Sequence, residues 1–228
     1  MKRALSILSG AAAATSVAYL AHAVTSYFRY GRTSESKEDQ RLIDHFLPEY
    51  KICERHSVRV DAPAEVTLAA ARAISFYDSA IIRSILALRS IPSRLSGNTV
   101  APLQKRPIME EVVALGWRKL AEDSGRQVVM GAVTQPWEKE VVFHGLAPEA
   151  FVAFQEPGYA KICWTLEVER TGPSSSVFST ETRVRTTDPA SREKFRCYWS
   201  FLSPGIIIIR REALRLIKKE AERRVRLR

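Results

Sequence analysis

The sequence predicts an α+β fold in which a curved antiparallel sheet wraps around a long, kinked C-terminal helix, with a hydrophobic helix at the N-terminus. Three observations predict it. From Val112 to Val184 apolar residues recur mainly with period two, the pattern of half-buried strands. From Phe195 to Ile217 they recur at spacings of three and four, the pattern of an amphipathic helix. Two further stretches of helical spacing, one opened by Pro63 and one closed by Pro92, follow a first alternating segment, which places two short helices between the first strand and the rest of the sheet.

The elements are justified in chain order. "YKICERHSVRVDAP" alternates from Ile52 to Val60, with Val58 and Val60 on one side and Arg59 on the other, and Pro63 stops it. That is a strand. In "PAEVTLAAARAISF" Pro63 sits at a helix start, where its missing N–H costs little, and Val66, Ala69, Ala70 and Ala73 share a face. "DSAIIRSILALRSI" offers Asp78 or Ser79 as N-cap and repeats Ile81, Ile82, Ile85, Leu86 and Leu88 before Pro92, a second helix. "PSRLSGNTVAPLQKRP" holds three prolines and a glycine without a period and predicts a mobile connection.

From Val112 strands are expected. "VVALGWRKLAED" sets Val113, Leu115 and Trp117 on one face, and "GRQVVMGAVTQPW" follows a turn near Ser124-Gly125. "GYAKICWTLEVER" alternates Ile162, Trp164, Leu166 and Val168 against Lys161, Cys163, Thr165, Glu167 and Glu169. "TGPSSS" is turn chemistry, and "VFSTETRVRTT" alternates again, so the two form a hairpin. Asp188 before Pro189 matches an N-cap followed by proline at the first helical position. The apolar series Phe195, Tyr198, Trp199, Leu202, Ile206, Ile209, Ala213, Leu216 and Ile217 runs straight through Ser203-Pro204-Gly205. One long helix with a kink is expected.

The N-terminal segment, residues 1–30, is uncharged from Ala4 to Phe28 and bordered by Tyr27, Phe28, Arg29 and Tyr30. Its length fits a bilayer crossing of about 20 residues, so membrane association through a single N-terminal anchor is expected. Ala21-His22-Ala23 also reads as a cleavage site of a signal peptide, which would make the chain exported. A helix that does not cross the membrane, in a cytoplasmic chain, is the third reading. Residues 31–41 form a polar linker, and 42–228 the folded domain.

A hydrophobic content of 46% with 26% charged residues excludes disorder for the whole. The net charge of +10 is concentrated at the end: Arg210 to Arg228 carries nine Lys or Arg against three Glu, which leaves +4 for the other residues. Such a helix end suits an anionic membrane surface or is simply solvated, with cations where the helix dipole favours them. No interleaving of basic and aromatic residues supports a nucleic-acid partner. Cys53, Cys163 and Cys197 have neither disulfide nor metal spacing, and are read as buried or half-buried thiols without chemistry. His22, His45, His56 and His144 are scattered, so no metal site is expected, and no cofactor. GxSxG, HExxH, GxGxxG and Walker motifs are all missing from the sequence, which removes the usual hydrolase, zincin and nucleotide-binding readings.

"ERHSVRVDAP" leading into the first helix, "VTQPW" at 133–137, "EPGYAKICWTL" at 156–166, "STETRV" at 179–184 and "YWSFLSPG" at 198–205 resemble a bacterial branch of the START and polyketide-cyclase superfamily (SRPBCC), which has the helix-grip fold and includes the birch-pollen allergens and coenzyme Q-binding proteins. The resemblance covers residues 51–220. It implies a cavity between sheet and C-terminal helix, usually for an apolar small molecule or lipid. Trp117, Trp164 and Phe178 on strand faces, with Tyr198, Trp199 and Leu202 on the helix, supply aromatic and apolar walls suited to such a pocket or equally to plain core. Thr180 and Thr182 share the Phe178 face and could offer hydroxyls to a ligand. Glu181 and Arg183 lie on the other face, as a solvated ion pair or, if the sheet bulges, as polar anchors for a head group. The resulting expectation is a membrane-associated binding or carrier domain. The alternatives are a cyclase-like or hydrolase-like enzyme in the same cavity, with Glu181, Arg183 or Tyr198 as acid or anchor, and an interaction or assembly factor without catalysis.

Overall fold

The strands pair antiparallel throughout. The structure, a computed structural model, describes residues 41–95 and 104–227 together with Tyr19, Ala21 and Thr25. It begins with a short 3-10 turn, Leu42–His45. Strand β1 (Ile52–Val60) leads through Pro63 into helix α1 (Ala64–Ala73), then α2 (Ala80–Leu95), α3 (Ile108–Ala114), β2 (Arg118–Asp123), β3 (Gln127–Thr134), β4 (Phe143–His144), α4 (Pro148–Ala153), β5 (Ala160–Gly172), β6 (Ser175–Thr186) and α5 (Pro189–Arg226). The sheet order is β1-β6-β5-β3-β2, with β4 added on β3. A six-stranded antiparallel sheet held by one long C-terminal helix is the helix-grip architecture.

Two element boundaries differ from the periodicity, for local reasons. Residues 108–114 form a helix where strand alternation is expected from Val112. Pro107 precedes the first turn, Glu110 and Glu111 favour its positive end, and Ile108 and Val112, one turn apart, are both buried. Gly116 then reverses the chain at a φ of 98°, where a Cβ would strike the Phe143 carbonyl. Helix α2 runs to Leu95, past Pro92. Its N-cap is Ser79, whose Oγ accepts from the Ile82 N–H at 3.3 Å and donates to Glu212 Oε1 at 2.8 Å. Part of the expected connection, residues 96–103, lies outside the described residues.

Helix α5 opens as expected, with Asp188 Oδ1 accepting from the Ser191 N–H at 2.9 Å and Pro189 in the first turn. Pro204 lies inside one continuous helix, so the proline does not end it. The C-terminal half runs along β1, the sheet's open edge. Arg210 donates to the Glu54 carbonyl at 3.1 Å, Lys218 to the Arg59 carbonyl at 2.8 Å, and Glu222 accepts from the Asp61 N–H at 3.2 Å. Unpaired edge groups invite aggregation, and the helix covers them here.

Strand register divides the sheet into two faces. Val60, Val128, Met130, Leu166, Val168 and Phe178 meet Leu214, Ile217 and Ala221 of α5 in one core cluster. Further along the same face Ile52, Ala160 and Val184 meet Phe195 and Trp199. The opposite face packs Val129, Val133 and Cys163 against Ile43, Leu47 and Phe151, from the 3-10 turn and α4. Hence all eight residues of β3 are buried. The apolar stripe of the basic helix end is thus taken up by the core. Many of its cations pair along the helix, Lys218 with Glu222 and Arg223 and Arg224 with Glu220.

Among the described residues no helix is long and apolar enough to cross a membrane. This corrects the expectation of a membrane-associated chain held by a single N-terminal anchor. The segment 1–30 on which that expectation rested lies outside the described residues, apart from Tyr19, Ala21 and Thr25, as does the linker before Arg41.

Candidate ligand-binding groove

The face of the sheet that meets α5 is apolar at both ends and polar in the middle. Alternation along β1 puts Ile52, Glu54, His56, Val58 and Val60 on this face, and the β1–β6 register sets Glu54 against Thr182 and His56 against Thr180. Four polar side chains therefore form a square between the Phe178 cluster and the Val184 cluster. Trp164 of β5 stands beside Thr182. Arg210 of α5 lies over the square, half-buried, with its guanidinium on the Glu54 carbonyl.

His56 is the least satisfied member. Its side chain is 17% exposed and its Nε2 lies 3.6 Å from Glu54 Oε2, beyond hydrogen-bond length. That nitrogen is buried without a hydrogen-bond partner. Burial, then the nearby Arg210 charge, pulls the imidazole pKa below its ordinary value, against the opposing pull of Glu54. The ring is therefore neutral near pH 7. Burial likewise lowers the pKa of Arg210, opposed by Glu54 and Cys53.

The sequence-predicted wall residues fall into two sets. Phe178 is fully buried in the first cluster, and Trp199, stacked on Phe195 at 5.9 Å, is buried in the second. Trp117, Trp164, Thr180, Tyr198 and Leu202 are half-buried, and Thr182 is buried. Trp117 packs edge-on to Trp164 at 6.0 Å and stacks on Phe143 at 4.9 Å, which makes an aromatic wall at the β2 side. Tyr198 contacts Phe195 at the opposite end. The two best-formed depressions among the described residues lie elsewhere. One of 330 Å³ is bounded by Ala73, Asp78, Leu216 and Arg223, and one of 360 Å³ by Glu65, Leu68, Arg72 and Gly125.

Glu181 and Arg183 lie on the face away from α5 and are buried there without any bulge, because the N-terminal turn covers them. Arg183 is fully buried. It donates from Nε to Glu181 Oε1 at 2.6 Å and from Nη1 to Asp44 Oδ1 at 2.5 Å and the Leu47 carbonyl at 3.0 Å, and stacks on Tyr50. Arg41 Nη1 donates to Glu181 Oε2 at 2.5 Å. Burial raises the Glu181 pKa, but the bonds and charges of Arg183 and Arg41 outweigh it and hold the carboxyl below its usual value. The pair clamps the chain entering the sheet and is separated from Thr180 and Thr182 by the sheet itself.

Sequence reasoning missed Glu54, His56 and Arg210. The available signal was two polar residues on the same parity as Ile52, Val58 and Val60. The cysteines also differ from the sequence reading, since Cys163 is buried but Cys53 and Cys197 are exposed. No group of His, Cys, Asp and Glu able to hold a metal occurs among the described residues.

Fold and register define an α+β protein of helix-grip architecture with polar residues between the two core clusters on the face that meets α5. No protein-family model matches the chain, and no curated protein matches it. Among solved structures it is similar to a conserved protein from Geobacillus kaustophilus, at 10% identity over 75% of this chain and 96% of that one, with a TM-score of 0.33. It is also similar to norcoclaurine synthase from Thalictrum flavum, at 12% identity, 81% and 93% coverage and a TM-score of 0.31. A third is the ZhuI aromatase/cyclase from Streptomyces sp. R1128, at 14% identity, 76% and 95% coverage and a TM-score of 0.27.

Proposed function

We propose that the chain binds an apolar small molecule or lipid in the groove between the sheet and α5, with Trp117, Trp164, Tyr198 and Leu202 as walls. The observation that carries the reading is the half-buried aromatic set Trp117–Trp164–Phe143, whose two tryptophans pack against the first core cluster, beside a polar square on the same face. Aromatic walls with a few convergent polar groups are the usual make-up of a ligand site. The superfamily resemblance of the sequence points to the same place. Glu181 and Arg183 have no part in this site, because they face the other way.

The test is a titration of the full chain with the apolar dye Nile red, read by its fluorescence. Saturable binding is expected, with Trp164→Ala weakening it at least about tenfold, the equivalent of about 1.4 kcal/mol. No saturable binding, or unchanged affinity in Trp164→Ala with the fold intact by circular dichroism, would count against the reading.

A further inference from the structure

Within the proposed groove, Arg210 has a geometry that ordinary core packing does not require. It is half-buried, donates to a backbone carbonyl, and among the described residues forms no ion pair with a carboxylate. The nearest acid, Glu54, is turned toward His56. Beside it stand the unpartnered Nε2 of His56 and the hydroxyl-bearing Thr180 and Thr182, fixed opposite His56 and Glu54 by the strand register. A partly desolvated cation whose nearby acid is turned toward a histidine is under-compensated, and a buried imidazole nitrogen without a partner adds a further cost. An acidic oxygen placed in the seam would relieve both. Arg211, exposed on the next position of the helix, adds a second positive charge near His56.

Resting on the groove reading above, we propose that the ligand is an apolar molecule ending in a carboxylate, and that Arg210 and His56 bind that end while the aromatic wall holds the apolar body. Arg210 supplies charge-assisted hydrogen bonds, and His56 in the tautomer protonated at Nε2 donates to the second oxygen. Thr180 and Thr182 complete the donor set from β6. A ligand of the same chain length ending in an alcohol would fill the apolar part of the groove but leave the arginine unpaired.

The experiment displaces bound Nile red from the full chain with decanoate and with decanol. Decanoate should displace the dye at a concentration about tenfold lower or less than decanol, as one charge-assisted bond of about 1.5–3 kcal/mol implies. That ratio should fall toward one in Arg210→Gln, be largely kept in Arg210→Lys, and be untouched by Arg185→Met on the other face of β6. If Arg210→Gln fails to fold, His56→Asn is read in its place and should lower the ratio at least about threefold, for loss of one hydrogen bond. Equal displacement by the two in the unmodified chain, or a ratio that survives both Arg210→Gln and His56→Asn, would overturn the carboxylate assignment while leaving the groove. Failure of Nile red to bind at all would remove the groove reading, and this inference with it.

Discussion

Arg183 is the largest fully buried side chain among the described residues. Its charge is wholly buried and is compensated by Glu181, Asp44 and a backbone carbonyl. Removing one partner of a buried ion pair costs about 3–5 kcal/mol when the other is left uncompensated, and here Arg41 keeps part of the compensation of Glu181, which points to the lower end. Arg183→Met is therefore expected to lower the unfolding free energy by about that amount in a urea titration. Replacing Arg183 and Glu181 together by apolar residues should cost less, because the charges left behind, Arg41 and Asp44, are partly exposed and of opposite sign. A loss confined to the range of ordinary surface substitutions, about 0.5 kcal/mol, would show that the clamp contributes little. That this pair is buried could not be read from its own strand. Glu181 and Arg183 alternate with Thr180, Thr182 and Val184 as a solvated face would, and the cover comes from Arg41, Asp44, Leu47 and Tyr50, more than a hundred positions away in the chain.

At the scale of elements, the legible parts were those whose burial is one-sided and long. The β5–β6 hairpin and α5 follow directly from the alternation at Ile162–Val168 and the spacing from Phe195 to Ile217, since each repeats over several periods. Helix α3 was not legible, because Val113, Leu115 and Trp117 satisfy a strand period over only a few residues, while the deciding contact joins the Ile108 N–H to the Ile74 carbonyl. The start of α5 makes a sharp prediction with pH. Asp188 is held well below its ordinary value of 3.8 by hydrogen bonds from Ser191 and from the Gly158 N–H. A carboxylate whose folded pKa is depressed contributes stability that is present above the unfolded pKa and is lost as pH falls through the folded one. Asp188→Ala should thus lower the thermal midpoint at pH 7, with the difference from the unmodified chain shrinking steadily below about pH 3.8. An equal difference at pH 7 and pH 2.5 would contradict the assignment.

For the whole molecule, the division of the sheet into two differently used faces is the central result. One face is sealed by the N-terminal turn and α4 around the Arg183 clamp. The other meets α5 in two packed clusters with a polar seam and an aromatic wall between them. The aromatic members of that wall were readable as strand and helix faces, but the seam was not, because Glu54 and His56 acquire meaning only when α5 brings Arg210 over β1. The most direct test of the account is native mass spectrometry of the full chain purified gently from its own host. The account predicts a bound apolar species on the unmodified protein that is absent from a folded Trp164→Ala variant. A bare mass for the unmodified protein, or an adduct retained equally by Trp164→Ala, would contradict it.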